Sequence, residues 1–248
     1  MSGHSKWANI QHRKGRQDAK RGKIFTKMAK DIIIAAKGGG DPDMNARLRL
    51  AIAKAKAVNM PNDKIDTAIK KGTGELAGGD ISEVIYEGYG PGGVAVLVEA
   101  TTDNKNRTVA EVRHSLSKAG GSMGEAGCVA WMFDRKGMMT FSAEKYTEDQ
   151  LLEIGLEGGV DDVKAEDDVI EVYCAPEDFS EAQKAFEDAG VESLSAELTY
   201  VAQNMIEVDV PTAKKLMNLM DALDENDDVQ NVNVNADFPD ELMAEMED

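Results

Sequence analysis

The 248-residue chain, 42% apolar, can fill more than one small core, while 5% aromatic content points to aliphatic, Met-rich packing rather than a broad ligand cavity. No apolar run approaches the roughly 18–20 residues that span a bilayer, and no signal-peptide h-region opens the chain, so a soluble cytoplasmic protein with no membrane partner is expected. The net charge of −18 hides a partition: residues 1–75 carry 17 basic and 7 acidic residues, the remainder 11 and 39.

Residues 1–37 hold ten Lys or Arg against two acids. Up to residue 17 there is little to bury, and Trp7 and Ile10 lie among His4, Ser5, Lys6, His12, Arg13, Lys14 and Arg16, which reads as an extended basic arm. Asp18 suits the N-cap of a first helix. At 100° per residue, Ile24, Met28, Ile32 and Ala35 share one face, with Lys20, Lys23, Lys27, Lys30 and Lys37 opposite. Gly38-Gly39-Gly40-Asp41-Pro42 breaks that helix, a second runs over 45–59, and Pro61 opens a third that Gly72 stops. A Gly-rich linker, 73–80, follows.

Strand periodicity then begins. Residues 81–87 and 94–102 read as a hairpin around Gly88-Tyr89-Gly90-Pro91-Gly92-Gly93, residues 106–119 as a helix and 128–133 as a strand. Strand 137–142, helix 147–157, strands 160–164 and 168–174, helix 178–189 and strand 193–201 follow the split βαβ order. A last βαβ, with strand 204–209, helix 211–223 and strand 229–235, is expected to complete the sheet begun at residue 81. The fold class is therefore α+β with three domains, an N-terminal helical bundle followed by two ferredoxin-like domains, one inserted into the other. Their expected bounds are 1–79, then 80–135 plus 202–240, with the acidic insert at 136–201.

A basic arm with one indole, continuing into a helix with a lysine face, suits a polyanion, because Lys and Arg neutralise phosphates and Trp or His can stack on an unpaired base. A frayed terminus ahead of a solvated helix face is the plainer alternative. Asn104, Lys105, Asn106, Arg107 and Thr108 stand at a strand-to-helix junction, where free N–H groups favour an anion, with Arg113 further along. An N-cap beside two surface arginines explains them equally well.

Other matches are decoys. Gly88 to Gly93 fits G-x-G-x-x-G, but a strand rather than a helix follows, so no dinucleotide cofactor is expected. Gly120-Gly121-Ser122-Met123-Gly124 fits G-x-S-x-G in reversed context, helix before strand. The acidic runs, including Asp224-Glu225-Asn226-Asp227-Asp228, lack EF-hand spacing and read as solvated turns; no metal or catalytic residue is expected. Cys128 and Cys174 sit in apolar, strand-like runs and read as buried free thiols of a reducing compartment.

Several blocks together resemble the YebC/PmpR family. They are Gly3-His4-Ser5-Lys6-Trp7-Ala8-Asn9, Arg21-Gly22-Lys23-Ile24-Phe25-Thr26-Lys27, Gly39-Gly40-Asp41-Pro42, Asn59-Met60-Pro61, Tyr86-Glu87-Gly88-Tyr89-Gly90-Pro91-Gly92-Gly93 and Asp103-Asn104-Lys105-Asn106-Arg107-Thr108. The resemblance spans nearly the whole chain, thinning after about residue 135. It implies a three-domain, non-enzymatic regulator of gene expression, related to the mitochondrial translational activator of cytochrome oxidase subunit I. Members are described both as promoter-DNA regulators and as ribosome-associated factors that help translation through proline runs. The expected partner is thus nucleic acid, promoter DNA or ribosomal RNA, with the ribosome as a further partner and no small-molecule substrate. An acidic protein-interaction scaffold is the alternative of another class, and the oligomeric state stays open.

Overall fold

The computed structural model describes residues 19–78, 81–166, 168–239 and 242. The chain divides into two compact units, one formed by Met132–Gln203 and the other by the segments on either side of it.

The larger unit opens with three helices, α1 (Ala19–Ala36), α2 (Ala46–Ala57) and α3 (Asn62–Gly72). Asn45 fixes the first corner: its Oδ1 caps α2 by accepting from Leu48 N at 3.0 Å, while its Nδ2 donates to Ala35 O and Gly39 O, both at 2.8 Å. Asn59 takes φ 59°, the left-handed conformation that Asn tolerates best after Gly, and ends α2. Gly72, the last residue of α3, lets the two helices approach closely, since a Cβ there would lie 2.4 Å from Ile33 O of α1. The last turn of α1 departs from the expected two-faced helix: Ile32, Ile33, Ile34, Ala35 and Ala36 are all buried. Ile24, placed on the apolar face by periodicity, is partly exposed instead.

β1 (Ser82–Tyr89) and β2 (Ala95–Thr102) form an antiparallel hairpin. Gly92 and Gly93, at φ 75° and 76°, turn the chain between them, so the glycine-rich motif is a hairpin connection. α4 (Lys105–Lys118) leads to a two-residue strand, β3 (Ser122–Met123), which pairs antiparallel with β1. Since β2 and β3 flank β1 and both oppose it, β2–α4–β3 is a split βαβ.

The strand expected over 128–133 is not formed. Residues 130–132 make a turn of 3₁₀ helix, and Glu87 takes the N–H groups of Gly127, Val129 and Ala130 at 2.6, 2.8 and 2.7 Å. Amides committed to a carboxylate cannot pair with a neighbouring strand.

The Met132–Gln203 unit contains β4 (Phe133–Ser142), α5 (Glu148–Gly155), β5 (Val160–Glu166), β6 (Val169–Cys174), α6 (Phe179–Asp188) and β7 (Ser195–Ala202). Its sheet order, β5-β6-β4-β7, is antiparallel throughout, the ferredoxin-like arrangement. Thr147 and Gln150 form a reciprocal capping box at α5. Phe141 and Phe186 meet at 4.7 Å between ring centroids in its core.

The chain then returns to the larger unit with β8 (Ile206–Glu207), α7 (Val210–Asp224), β9 (Val229–Val234) and β10 (Ala236–Asp237). β9 joins β2, giving the order β3-β1-β2-β9, while β8, much shorter than expected, pairs parallel with β10. Among the described residues the unit holds two separate apolar cores. One packs Val96, Val98, Val112, Leu116, Leu216 and Met220 between sheet and helices α4 and α7. The other joins Ile32, Leu48, Ala55, Ile65 and Ile81 within the helical layer.

Candidate nucleic-acid interface

Helix α7 ends with no basic residue in its last turn, leaving the negative end of its dipole and several carbonyls without a local cation. α1 supplies the cations. Lys23 Nζ donates to Glu225 O at 2.9 Å, and Lys27 Nζ donates to Asp224 O and Asp224 Oδ1 at 2.8 and 2.7 Å. Lys30 Nζ donates to Asp227 O at 2.7 Å and to Asp228 Oδ1 at 2.5 Å. The spacing of these lysines along α1 lines up their ammonium groups along the 224–228 turn.

Asp228 is the hub of that turn. Its Oδ2 accepts from Arg107 Nη2 at 2.6 Å, Thr108 Oγ1 at 2.7 Å and Thr102 Oγ1 at 3.2 Å. Its backbone is pinned too: Thr101 N donates to Asp228 O at 2.7 Å, and Asp228 N donates to Asn226 Oδ1 at 2.9 Å. Burial by itself would raise the Asp228 pKa, but the hydrogen bonds from Lys30, Arg107 and Thr108 outweigh it and lower the carboxyl to about 2. Arg107, bonded to Asp228 and Asp103, is held still more firmly in its charged form. The acidic run is therefore not merely a solvated turn; its last carboxylate is buried.

Asn104 caps α4 by accepting from Arg107 N at 3.1 Å. The anion beside this helix end is the chain's own Asp228. An open groove of about 800 Å³ runs past these groups, lined by Lys23, Thr26, Arg107, His114, Asn226 and Asp227 among others.

Of the residues singled out in the sequence, Lys23, Lys27, Lys30 and Arg107 converge on 224–228. Asn106 and Arg113 are exposed on α4. Lys20 lies in α1, with its side chain outside the described residues, and His4, Ser5, Lys6, Trp7, His12, Arg13, Lys14 and Arg16 lie wholly outside them. Asp224, Asp228, Thr102 and Thr108 were missed as partners. The available signal was α7 ending without a cation just ahead of an acidic run, a helix terminus in need of lysines from elsewhere.

A second electrostatic feature lies under α1. Burial raises the pKa of Asp31 to about 6, against the opposing pull of Lys54 and Arg47, with Glu83 and Glu99 adding to the rise. Among the described residues no helix is long and apolar enough to cross a membrane.

Fold and joint together define an α+β protein whose helical layer is tied to a split-βαβ sheet by lysine–acid contacts. This chain belongs to the TACO1/YebC family: the family models for its N-terminal domain and for its second and third domains match residues 5–75 and 81–236. A relative from Maridesulfovibrio salexigens, named a probable transcriptional regulatory protein, is 82% identical over 248 residues and covers 100% of both chains. One of the same name from Solidesulfovibrio magneticus is 59% identical over 98% of this chain and 100% of its own. The crystal structure of a conserved hypothetical protein from Aquifex aeolicus superposes with a TM-score of 0.83 at 47% identity, covering 90% of this chain and 92% of that one.

Proposed function

We propose that this chain is a non-enzymatic regulator of gene expression that binds nucleic acid through its N-terminal part. The observation that carries the reading is the charge partition: residues 1–75 hold 17 basic and 7 acidic residues, the rest 11 and 39. Such a dipole brings one end to a phosphate backbone and turns the other away. The names of the relatives favour promoter DNA. The binder reading, as against a catalytic one, draws support from Ser122, which sits in a strand paired with Tyr89 rather than on a strand-to-helix elbow.

A second target, ribosomal RNA, is favoured by a specific feature of α3. Asp63 in its first turn and Asp66 in the next are exposed, so its insertion into a major groove would bring two carboxylates toward duplex phosphates. An arm carrying Trp7 suits unpaired bases better. The test measures affinity of the full chain for duplex DNA and single-stranded RNA between about 50 and 200 mM salt, and co-sedimentation with ribosomes before and after RNase. Steeply salt-dependent binding supports the reading, and preference between the two nucleic acids selects the target. Salt-independent association that survives nuclease would replace it with a protein-interaction scaffold.

A further inference from the structure

We propose that the acidic turn 224–228 is an internal competitor for the lysines of α1. In the docked state it holds Lys23, Lys27 and Lys30, and a polyanion reaches these lysines only where the turn lets go. The inference rests on the nucleic-acid reading above and adds an autoinhibitory contact to it.

The ammonium groups face anionic or carbonyl oxygens at 2.5–2.9 Å, acceptors of the kind a phosphate offers. Lys27 and Lys30 each donate to two acceptors in the turn, and their side chains are only 12% and 15% exposed. A phosphate therefore has to displace the turn.

The joint is built to part. The helical layer and the sheet have distinct apolar cores. Polar contacts bridge them: the three lysines on the turn, Arg47 with Glu83, and Lys37 Nζ with Ile81 O. Polar contacts of this kind can be exchanged for equivalent ones with phosphate, unlike an apolar core, and the exposed ion pair Arg47–Glu83 also weakens with salt. The two ends of the turn differ as well. Asp224 is the outer member, its side chain 41% exposed, whereas Asp228 is held independently of Lys30 by Arg107 and Thr108 of α4 and by Thr102 at the end of β2. Release thus moves the lysines and leaves the turn's inner carboxylate in place. A polyanion shifts this equilibrium only by binding the released state more tightly, and each freed lysine gives it one more phosphate contact.

The test is the full chain carrying Asp224→Asn with Asp227→Asn, against a control with the same charge change on α5, Asp149→Asn with Glu153→Gln, both exposed positions. The turn variant should bind single-stranded RNA and duplex DNA roughly ten-fold tighter than the control, with a salt slope steeper by about 0.7 to 0.9 units for each further lysine that reaches phosphate, Lys27 first because Asp224 Oδ1 is its acceptor. Acylation of Lys27 by an amine-reactive ester should rise in the turn variant alone. Asp224→Asn by itself carries the test if the double variant fails to fold. Wild-type binding with the turn variant no tighter than the control overturns the competition and leaves the nucleic-acid reading standing. No binding by wild type or by either variant overturns both, and binding by the turn variant alone supports the competition.

Discussion

Lys30 of α1 and Asp228 of the 224–228 turn form a largely buried ion pair, with Nζ 2.5 Å from Oδ1 and side chains 15% and 4% exposed. Because Arg107, Thr108 and Thr102 share the same carboxylate, its neutralisation weakens the contacts of two cations and two hydroxyls at once. Asp228→Asn should lower folding stability by on the order of 2–3 kcal/mol at pH 7, the range for removing one member of a desolvated, charge-assisted network.

The same carboxylate predicts an acid transition. Its folded pKa of about 2 lies below the ordinary aspartate value of 3.8, so its contribution is complete above about pH 4 and is lost as the pH falls toward 2. Urea unfolding at pH 7, 4 and 2.5 should show the difference between wild type and Asp228→Asn shrinking across that window. A difference that stays constant from pH 7 to 2.5 would refute the assignment.

Asp31 gives the opposite sign. Its folded pKa, raised to about 6, means that the folded chain binds the proton more tightly than the unfolded one, so this group's contribution falls as the pH climbs from about 4 through 6. Asp31→Asn should therefore raise stability at pH 7 by roughly 1–3 kcal/mol and change little at pH 4, on the conversion of about 1.4 kcal/mol per pKa unit. Melting temperatures of the two chains at both pH values decide it.

Local features of the fold were legible where a residue type has few alternatives. Pro61 announces a helix start and Gly92-Gly93 a turn, each through its own backbone chemistry, whereas Asn45, expected as the first residue of its helix, is that helix's cap. What was hidden depends on partners remote in sequence. Lys23, Lys27 and Lys30 do form one stripe, yet nothing near them shows that the stripe meets a turn about two hundred positions away. Cys128 to Phe133 has the apolar run of a strand, and only the position of Glu87 explains why it is not one. The arm's residues gave the clearest sequence signal for nucleic acid, and they lie outside the described residues.

Glu87 itself is testable. Burial would raise its pKa, but three backbone N–H groups outweigh that and lower it, so the carboxylate is charged and fully used. Glu87→Gln keeps the shape but turns an NH₂ toward N–H donors. It should cost roughly 2–3 kcal/mol and speed hydrogen exchange at Gly127, Val129 and Ala130 above all other amides. Uniform exchange rates across the sheet would argue that the loop is held by something else.

The two thiols, treated alike on sequence, differ. Cys174 is buried in β6 with its pKa pushed up to about 11, first by burial, while Cys128 is half-buried in a turn. A thiol reagent at pH 7 should modify Cys128 first, and Cys174 only on unfolding. Cys174→Ala should lower stability by about 1–2 kcal/mol without changing nucleic-acid affinity, since it leaves only a small cavity in the acidic unit.

The arm's tip provides the sharpest separation of stacking from charge. His4, Ser5, Lys6 and Trp7 bring rings, a hydroxyl and an ammonium within four residues, a grouping that suits splayed bases, where stacking contributes about 1–3 kcal/mol per base. Trp7→Ala should weaken single-stranded RNA binding by roughly ten-fold while leaving the salt slope unchanged, because no phosphate contact is lost. Lys6→Ala should instead reduce that slope by about one unit. If the indole serves as a hydrophobic anchor on the protein, Trp7→Ala lowers the melting temperature before it changes affinity. Melting temperature and RNA affinity measured on the same variant distinguish the two, and unchanged affinity for RNA and DNA alike removes the tip from the interface.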